Sequence, residues 1–340
     1  MRSEENVPTT QELLKAIGKA SGKGLSQAQA KLLYARILEG SLSDMQVGAA
    51  LMALRVRGES LPEILGALAA VEPYIREIRV PPGLTALVIP SYNGSRMLPN
   101  LLPLLACLLA DEGIPVLVHG VRAAPTRIAS AQVFHALGMD PIDCAPELLS
   151  TEVGIRFKRG DPAFVPLDVL SPALAKLLER RRDMGVRNTG HSLVKLLQPI
   201  VGRTVLQLAS YTHSEFRILQ QEVFASLGTS ALQSRGCEGE VVASAKRITS
   251  IELIQAGRIE TMMEAEALDV SNIPALPAAQ DIVATAAWTQ SVLAGAIPVP
   301  RSIALQLACI KTALRLIDGV AQGNPSQPKP GASNEEVLAK

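Results

Sequence analysis

Apolar residues recur at intervals of three and four over the first part of the chain, as in Leu13, Leu14 and Ile17 and again in Leu32, Leu33 and Ile37. That is the period of one buried face of an α-helix. Thr9, Ser26, Ser43 and Ser60 each stand three positions before a glutamate or glutamine: Glu12, Gln29, Gln46 and Glu63. In such a box the hydroxyl accepts from the N3 amide, and the N3 side chain accepts in return from the cap residue's amide. Four short helices are predicted, separated by Gly22, Gly24, Gly40 and Gly58 and closed by Val80-Pro81-Pro82-Gly83.

From Leu84 the pattern changes to short apolar runs bounded by turn residues. It predicts strands at 86–89 and 116–118 with helices at 101–110 and 130–137, then a second block with a strand at 204–208, a helix at 215–227 and a strand at 239–243. Such alternation points to an α/β domain with a parallel sheet. Between the blocks, 171–197 reads as helical. The expected architecture is a small all-helical domain (1–80 with 171–200) and a larger α/β domain (81–170 with 201–322), followed by a flexible tail (323–340) rich in Pro, Gly, Ser and Gln.

Composition narrows the functional classes. With 48% hydrophobic and 19% charged residues in 340, the chain has material for a sizeable core, and bulk disorder is excluded. Lysine and arginine total 33 against 32 acidic residues, so binding to a polyanion must come from local clustering. Aromatics are 3%, which argues against base stacking as the main mode of nucleic-acid binding. Cys107, Cys144, Cys237 and Cys309 form no C-x-x-C pair and read as buried thiols of a reducing compartment. Residues 1–7 carry no apolar leader core, and the apolar stretch 101–118 is interrupted by Pro103, Asp111-Glu112-Gly113 and Pro115. A cytoplasmic protein with no membrane partner is expected.

The clustering lies in mid-chain. From Lys176 to Arg203, Lys176, Arg180, Arg181, Arg182, Arg187, Lys195 and Arg203 face only Glu179 and Asp183 in opposite charge, with His191 in addition. Two readings stand: a basic stripe on a helix that contacts nucleic-acid phosphates, or a solvated face paired with carboxylates elsewhere. His119, His135, His191 and His213 show no metal-ligand spacing, and Ser130 lacks a base in sequence reach. No catalytic residue, metal ligand or cofactor is assigned. Glu238 and Glu240, two apart on the expected strand, read as a solvated or salt-bridged pair or as a cation site.

The stretch from His119-Gly120-Val121-Arg122 through Arg127 to His135-Ala136-Leu137-Gly138, and the segment Arg181-Arg182-Asp183-Met184-Gly185-Val186-Arg187, resemble motifs of the anthranilate phosphoribosyltransferase and pyrimidine nucleoside phosphorylase fold. The resemblance covers about residues 10–320 and implies that two-domain architecture, with Arg181 as the counterpart of the transferases' anthranilate-contacting arginine. The departures are informative. Where the transferases carry a glycine-rich loop around the donor's pyrophosphate, this chain has Pro90-Ser91-Tyr92-Asn93-Gly94-Ser95. The next phosphate contact becomes Asn100-Leu101-Leu102-Pro103, which keeps the asparagine and loses the hydroxyls. In Arg235 to Val242, two valines stand where the transferases hold magnesium with acidic residues. Tyr92, Asn93, Gly94, Asn100, His119, Gly120, Arg122 and Arg127 thus mark a vestigial ligand pocket.

Three ordered features, the Pro90–Arg96 loop, the basic mid-chain segment with His191, and Arg235 to Ala243, resemble the YbiB group of DNA-binding proteins in this superfamily. That resemblance implies a homodimer binding DNA or RNA without strong sequence preference. The alternative is a glycosyltransferase of the anthranilate phosphoribosyltransferase kind that uses a ribosyl phosphate donor.

Overall fold

The computed structural model describes residues 7–19, 24–269, 271 and 273–321. The expected tail therefore lies outside the described residues.

All four boxed starts produce helices: α1 (Thr10–Ile17), α2 (Gln27–Glu39), α3 (Asp44–Arg57) and α4 (Leu61–Val71). At the first three, the reciprocal bonds between cap and N3 residue span 2.7–3.3 Å. At the fourth, Glu63 does more than cap. Its carboxylate accepts from the Ser60 amide (2.9 Å) and hydroxyl (2.8 Å), from the Leu25 amide (2.9 Å) and from the Arg57 guanidinium, while the residue is 1% exposed. α4 crosses α2 so closely at Gly66 that a Cβ there would lie 2.3 Å from the Gln27 carbonyl oxygen.

Burial raises the Glu63 pKa, but the bonds from Leu25, Ser60 and Arg57 outweigh it and hold the carboxyl below its ordinary value. A lowered folded-state pKa stabilises above the ordinary carboxylate range, and that stabilisation drains away as pH falls through the folded value. Glu63→Gln is therefore expected to cost about 2 kcal/mol at pH 7. The gap in urea midpoint between the variant and its parent should shrink in acid; a gap that widens there refutes the assignment.

The chain then forms β1 (Ile78–Arg79), β2 (Ala86–Ser91), α5 (Leu102–Asp111), β3 (Val116–Gly120), α6 (Ser130–Ala136), α7 (Leu149–Arg159) and β4 (Ala163–Pro166). Short helices follow: α8 (Leu167–Leu170), α9 (Pro172–Glu179), α10 (Arg181–Met184) and α11 (Gly190–Leu193). The remainder is β5 (Ile200–Val201), β6 (Val205–Ser210), α12 (Ser214–Leu227), β7 (Ala231–Ser234), β8 (Ile251–Gln255), β9 (Arg258–Met263), α13 (Ile282–Leu293) and α14 (Arg301–Ala321).

Seven strands form one sheet in the order β4-β3-β2-β6-β7-β8-β9, while β1 and β5 pair where the chain passes between the helical and sheet-bearing parts. Alternate residues of the central strands feed two cores. Leu87, Ile89, Leu117's neighbours Val116 and Val118, Leu206 and Leu208 pack with α5, α6, α13 and α14. Ala86, Val88, Leu117, Val205 and Ala209 join the core that continues into α1–α4. Burial raises the Cys107 and Cys237 thiols to about 12 and about 11; Cys144 is the half-exposed thiol, contrary to the expectation of burial.

The sheet corrects three expectations. It is parallel only from β4 to β7, because β8 and β9 add as an antiparallel hairpin. Residues 239–243 are not a strand: Cys237 and Glu240 form an isolated bridge in a tight loop, and the strand is β7, four residues buried on both faces. Such a short, fully buried run carries no alternation to read. Nor is 171–197 one helix, since α10 ends at Gly185 in the left-handed region (φ 71°) and the chain restarts only at Gly190.

Candidate anion cradle and basic cleft

The carboxyl ends of parallel strands are where an α/β sheet presents ligand-binding loops. The loop after β2 turns a row of amides inward there. Asn93 and Gly94 donate to Glu240 Oε1 (2.8 and 2.5 Å), and Arg96, Met97 and Leu98 donate to Glu238 (3.0, 2.7 and 2.8 Å). Converging backbone N–H groups form a nest suited to phosphate oxygens. Here the protein's own carboxylates fill it.

Backbone geometry delivers those carboxylates. Glu238 adopts φ 52° and Gly239 φ 91°, and a Cβ at 239 would lie 1.7 Å from Asn93 Nδ2. Only glycine lets the two loops meet so closely. Arg127 Nη1 donates to the Gly94 carbonyl (3.0 Å) and lies 3.3 Å from Glu238 Oε2. Asn100 donates to the Ile128 carbonyl (2.9 Å) and to Ser130 Oγ (3.1 Å), whose partner Ser91 Oγ is 2.7 Å away. Tyr92 Oη and His119 Nδ1 are 2.7 Å apart, both side chains buried. Burial lowers the His119 pKa to about 3, so this imidazole is neutral and supplies no charge to an anion. Gly120 lies against β2, where a Cβ would meet the Ser91 carbonyl oxygen at 2.0 Å. Arg122 stands apart from the cradle, engaged by Asp168 (2.9 Å) and Asp143 (3.2 Å).

A divalent cation does not fit. Val241 and Val242 are each 2% exposed and packed in the second core, offering no oxygen. Glu238 and Glu240 already accept from backbone donors. Magnesium requires hard oxygen ligands in octahedral array, which these residues do not present. Burial raises the Glu240 pKa, against the opposing bonds from the Gly94 and Asn93 amides and the nearby Ser91 hydroxyl and Lys195 cation.

Beside the cradle opens a cleft of about 200 Å³ between α3, α11 and the β6–α12 junction. Arg187, His191 and Lys195 line it together with Tyr211, His213 and Phe216, with Arg55 from the last turn of α3 and Glu59 just beyond that helix. Lys195 Nζ lies 3.5 Å from the Gly239 carbonyl oxygen, so the cleft adjoins the cradle. Burial lowers the Lys195 ammonium to about 8, with Glu240 opposing and Arg187 adding to the shift. Burial, with Arg187, Arg181 and Lys195 contributing, lowers the His191 pKa to about 4. Arg187 is lowered by burial and by Arg181, Arg127 and Arg55. Arg55, Arg127, Arg181 and Lys195 thus all lie near Arg187 or His191, Arg127 being itself paired with Glu238.

The mid-chain cations therefore do not form one stripe. Lys176, Arg181 and Arg182 are exposed, whereas Arg180 pairs with Asp44 at 2.8 Å. Arg187, His191 and Lys195 line the cleft. Arg203 precedes β6, at the opposite end of that strand from the cleft, with its guanidinium against Gly83 and Asp318 nearby. Arg55 was not among the sequence candidates; its only local signal is its place in the basic last turn of α3.

A helical unit joined to a mixed α/β sheet, with an anion nest at the carboxyl edge, defines the class of glycosyl transferase-like two-domain proteins. Residues 11–72 match the family described as glycosyl transferase family, helical bundle domain. YbiB, an uncharacterized protein of Escherichia coli (strain K12), is 36% identical over 90% of this chain and 95% of its own length. The anthranilate phosphoribosyltransferase of Bradyrhizobium sp. (strain BTAi1) is 30% identical over 92% of this chain and 93% of its own. The chain belongs to the anthranilate phosphoribosyltransferase-like superfamily of glycosyl transferases. Among solved structures, the Saccharomyces cerevisiae anthranilate phosphoribosyltransferase in complex with PRPP and Mg shares the fold at TM-score 0.69 and 15% identity, covering 92% of this chain and 89% of that one. The Thermus thermophilus enzyme does so at TM-score 0.67 and 23% identity, over 91% and 89%. No described helix is long and apolar enough to cross a membrane.

Proposed function

We propose that this protein binds nucleic acid through its sugar-phosphate backbone, without sequence preference, and does not transfer phosphoribosyl groups. One observation carries the reading: the amide nest suited to a donor's pyrophosphate is filled by Glu238 and Glu240, while the nearby cations Arg55, Arg181 and Arg187, with Arg182 next to Arg181 on α10, make no ion pair among the described residues. Phosphoryl-type donors need positioning and charge neutralisation at the nest. A group of guanidinium side chains without ion pairs instead suits polyanion backbones, with affinity from counterion release.

The test is a titration of labelled oligonucleotides of several sequences at two salt concentrations, with calorimetry of phosphoribosyl pyrophosphate and magnesium alongside. Raising salt from 50 to 200 mM is expected to weaken oligonucleotide binding by about a hundredfold, alike for every sequence. Strong donor binding without oligonucleotide binding overturns the reading in favour of a transferase.

The protein acts in this reading as a cytoplasmic homodimer through its helical unit. Met45, Met52 and Val56 lie on one face of α3 and are 84%, 38% and 79% exposed, which supports a second copy as their partner. Met45→Lys combined with Val56→Lys is expected to yield monomers in sedimentation; an unchanged mass refutes that interface.

A further inference from the structure

The chain has one Trp, four Tyr and five Phe, and most are used to fill cores. Tyr34, Tyr92, Phe134, Phe164, Phe224 and Trp288 are all buried. Tyr211 and Phe216 are half-buried and line the basic cleft together with the exposed His213. The His213 and Phe216 rings are tilted at 52° with centroids 6.3 Å apart. Apolar rings facing a cationic hollow contribute little to a core, yet they provide a surface on which another ring can stack.

The dimensions select what fits. A hollow near 150 Å³ is enough to admit a benzene ring, so the cleft's 200 Å³ is room for one flat heterocycle. Ser192 and Thr212 are among its lining residues. A hydroxyl both donates and accepts, so it meets any base edge without selecting one. By contrast, the amide of Asn188 is engaged with Leu177 and Gly190, and that of Gln220 with Ser210 and Gln233.

We propose that this cleft takes a single unpaired nucleobase against Phe216, with the adjoining backbone phosphates on Arg187 and Arg55, so that the protein prefers single-stranded nucleic acid to duplex. The inference deepens the nucleic-acid reading above and rests on it. It also assigns a role to the few accessible rings, which composition alone made an improbable platform.

Fluorescence anisotropy on the full chain tests it with three probes of equal length: a mixed-sequence single strand, the same backbone carrying abasic residues throughout, and the duplex. The base-bearing strand is expected to bind about tenfold tighter than the abasic one, the scale of one base-aromatic stack, and tighter than the duplex. Phe216→Leu, which keeps apolar bulk and removes the ring face, should bring the base-bearing strand down to the abasic level and leave abasic binding unchanged. The abasic comparison on the parent protein needs no variant to fold. Equal affinity of parent protein for base-bearing and abasic strands overturns the nucleobase pocket while leaving backbone binding in place. A gap that persists in a folded Phe216→Leu variant also overturns it, since the base then sits elsewhere. Failure of all three probes to bind removes the nucleic-acid reading itself.

Discussion

Glu240→Ala is expected to lower unfolding stability by about 4 kcal/mol, while Glu240→Gln should lie within about 1 kcal/mol of the parent. The buried Asn93 and Gly94 amides both donate to Glu240 Oε1, so alanine leaves two N–H groups without an acceptor and withdraws the carboxylate nearest Lys195. Glutamine keeps an oxygen at that position. Burial already raises the Glu240 pKa, so a neutral isostere suits the site. The sign for pH follows. A carboxyl whose folded pKa lies above its unfolded value contributes stability that is full below the unfolded value and lost as pH rises through the folded one. Relative to Glu240→Gln, the parent should therefore gain stability on acidification through that window, opposite to the trend at Glu63. Chemical denaturation of the three proteins across pH decides it; an alanine variant as stable as the parent would show that the amides find water instead.

Arg181→Glu with Arg182→Glu should weaken oligonucleotide binding on the order of a hundredfold at low salt and reduce the slope of log affinity against log salt by about two. Both side chains are exposed on α10 and make no ion pair or hydrogen bond among the described residues. Thermal unfolding should accordingly change little, as for other exposed positions without packing or pairing roles. Arg181 lies close enough to Arg187 and His191 to depress the pKa of each, so a glutamate there also sets a negative charge near those cleft residues. Arg180→Glu is the informative contrast, because Arg180 is already paired with Asp44 and its loss should affect binding less. A loss confined to some sequences would indicate base readout at α10 and refute backbone binding there.

The legible part of this protein was local. The capping boxes at Thr9, Ser26 and Ser43 form from residues three apart, and each predicted helix starts where its box stands. The strands at β2, β3 and β6 were marked by apolar runs between turn residues. The unread elements failed for stated reasons: β7 is buried on both faces and shows no period, and the segment after α9 has helical composition but is cut at Gly185, helix resuming only at Gly190. Local pattern also overgrouped charge. It assigned Arg180, Arg187 and Arg203 to one stripe, although the fold pairs the first, draws the second into the cleft and places the third at the far end of β6.

By itself the amino-acid order determined the helical start of the chain, the change to a sheet-forming pattern and the absence of a glycine-rich phosphate loop, because each is written within a few consecutive residues. Only the tertiary structure decided that Glu238 and Glu240 fill the nest and that Arg55 joins the basic cleft. The carboxylates reach amides 140 to 147 positions earlier in the chain. No local period or spacing encodes contacts of that range; they exist only once the packed sheet and helices bring the two loops together.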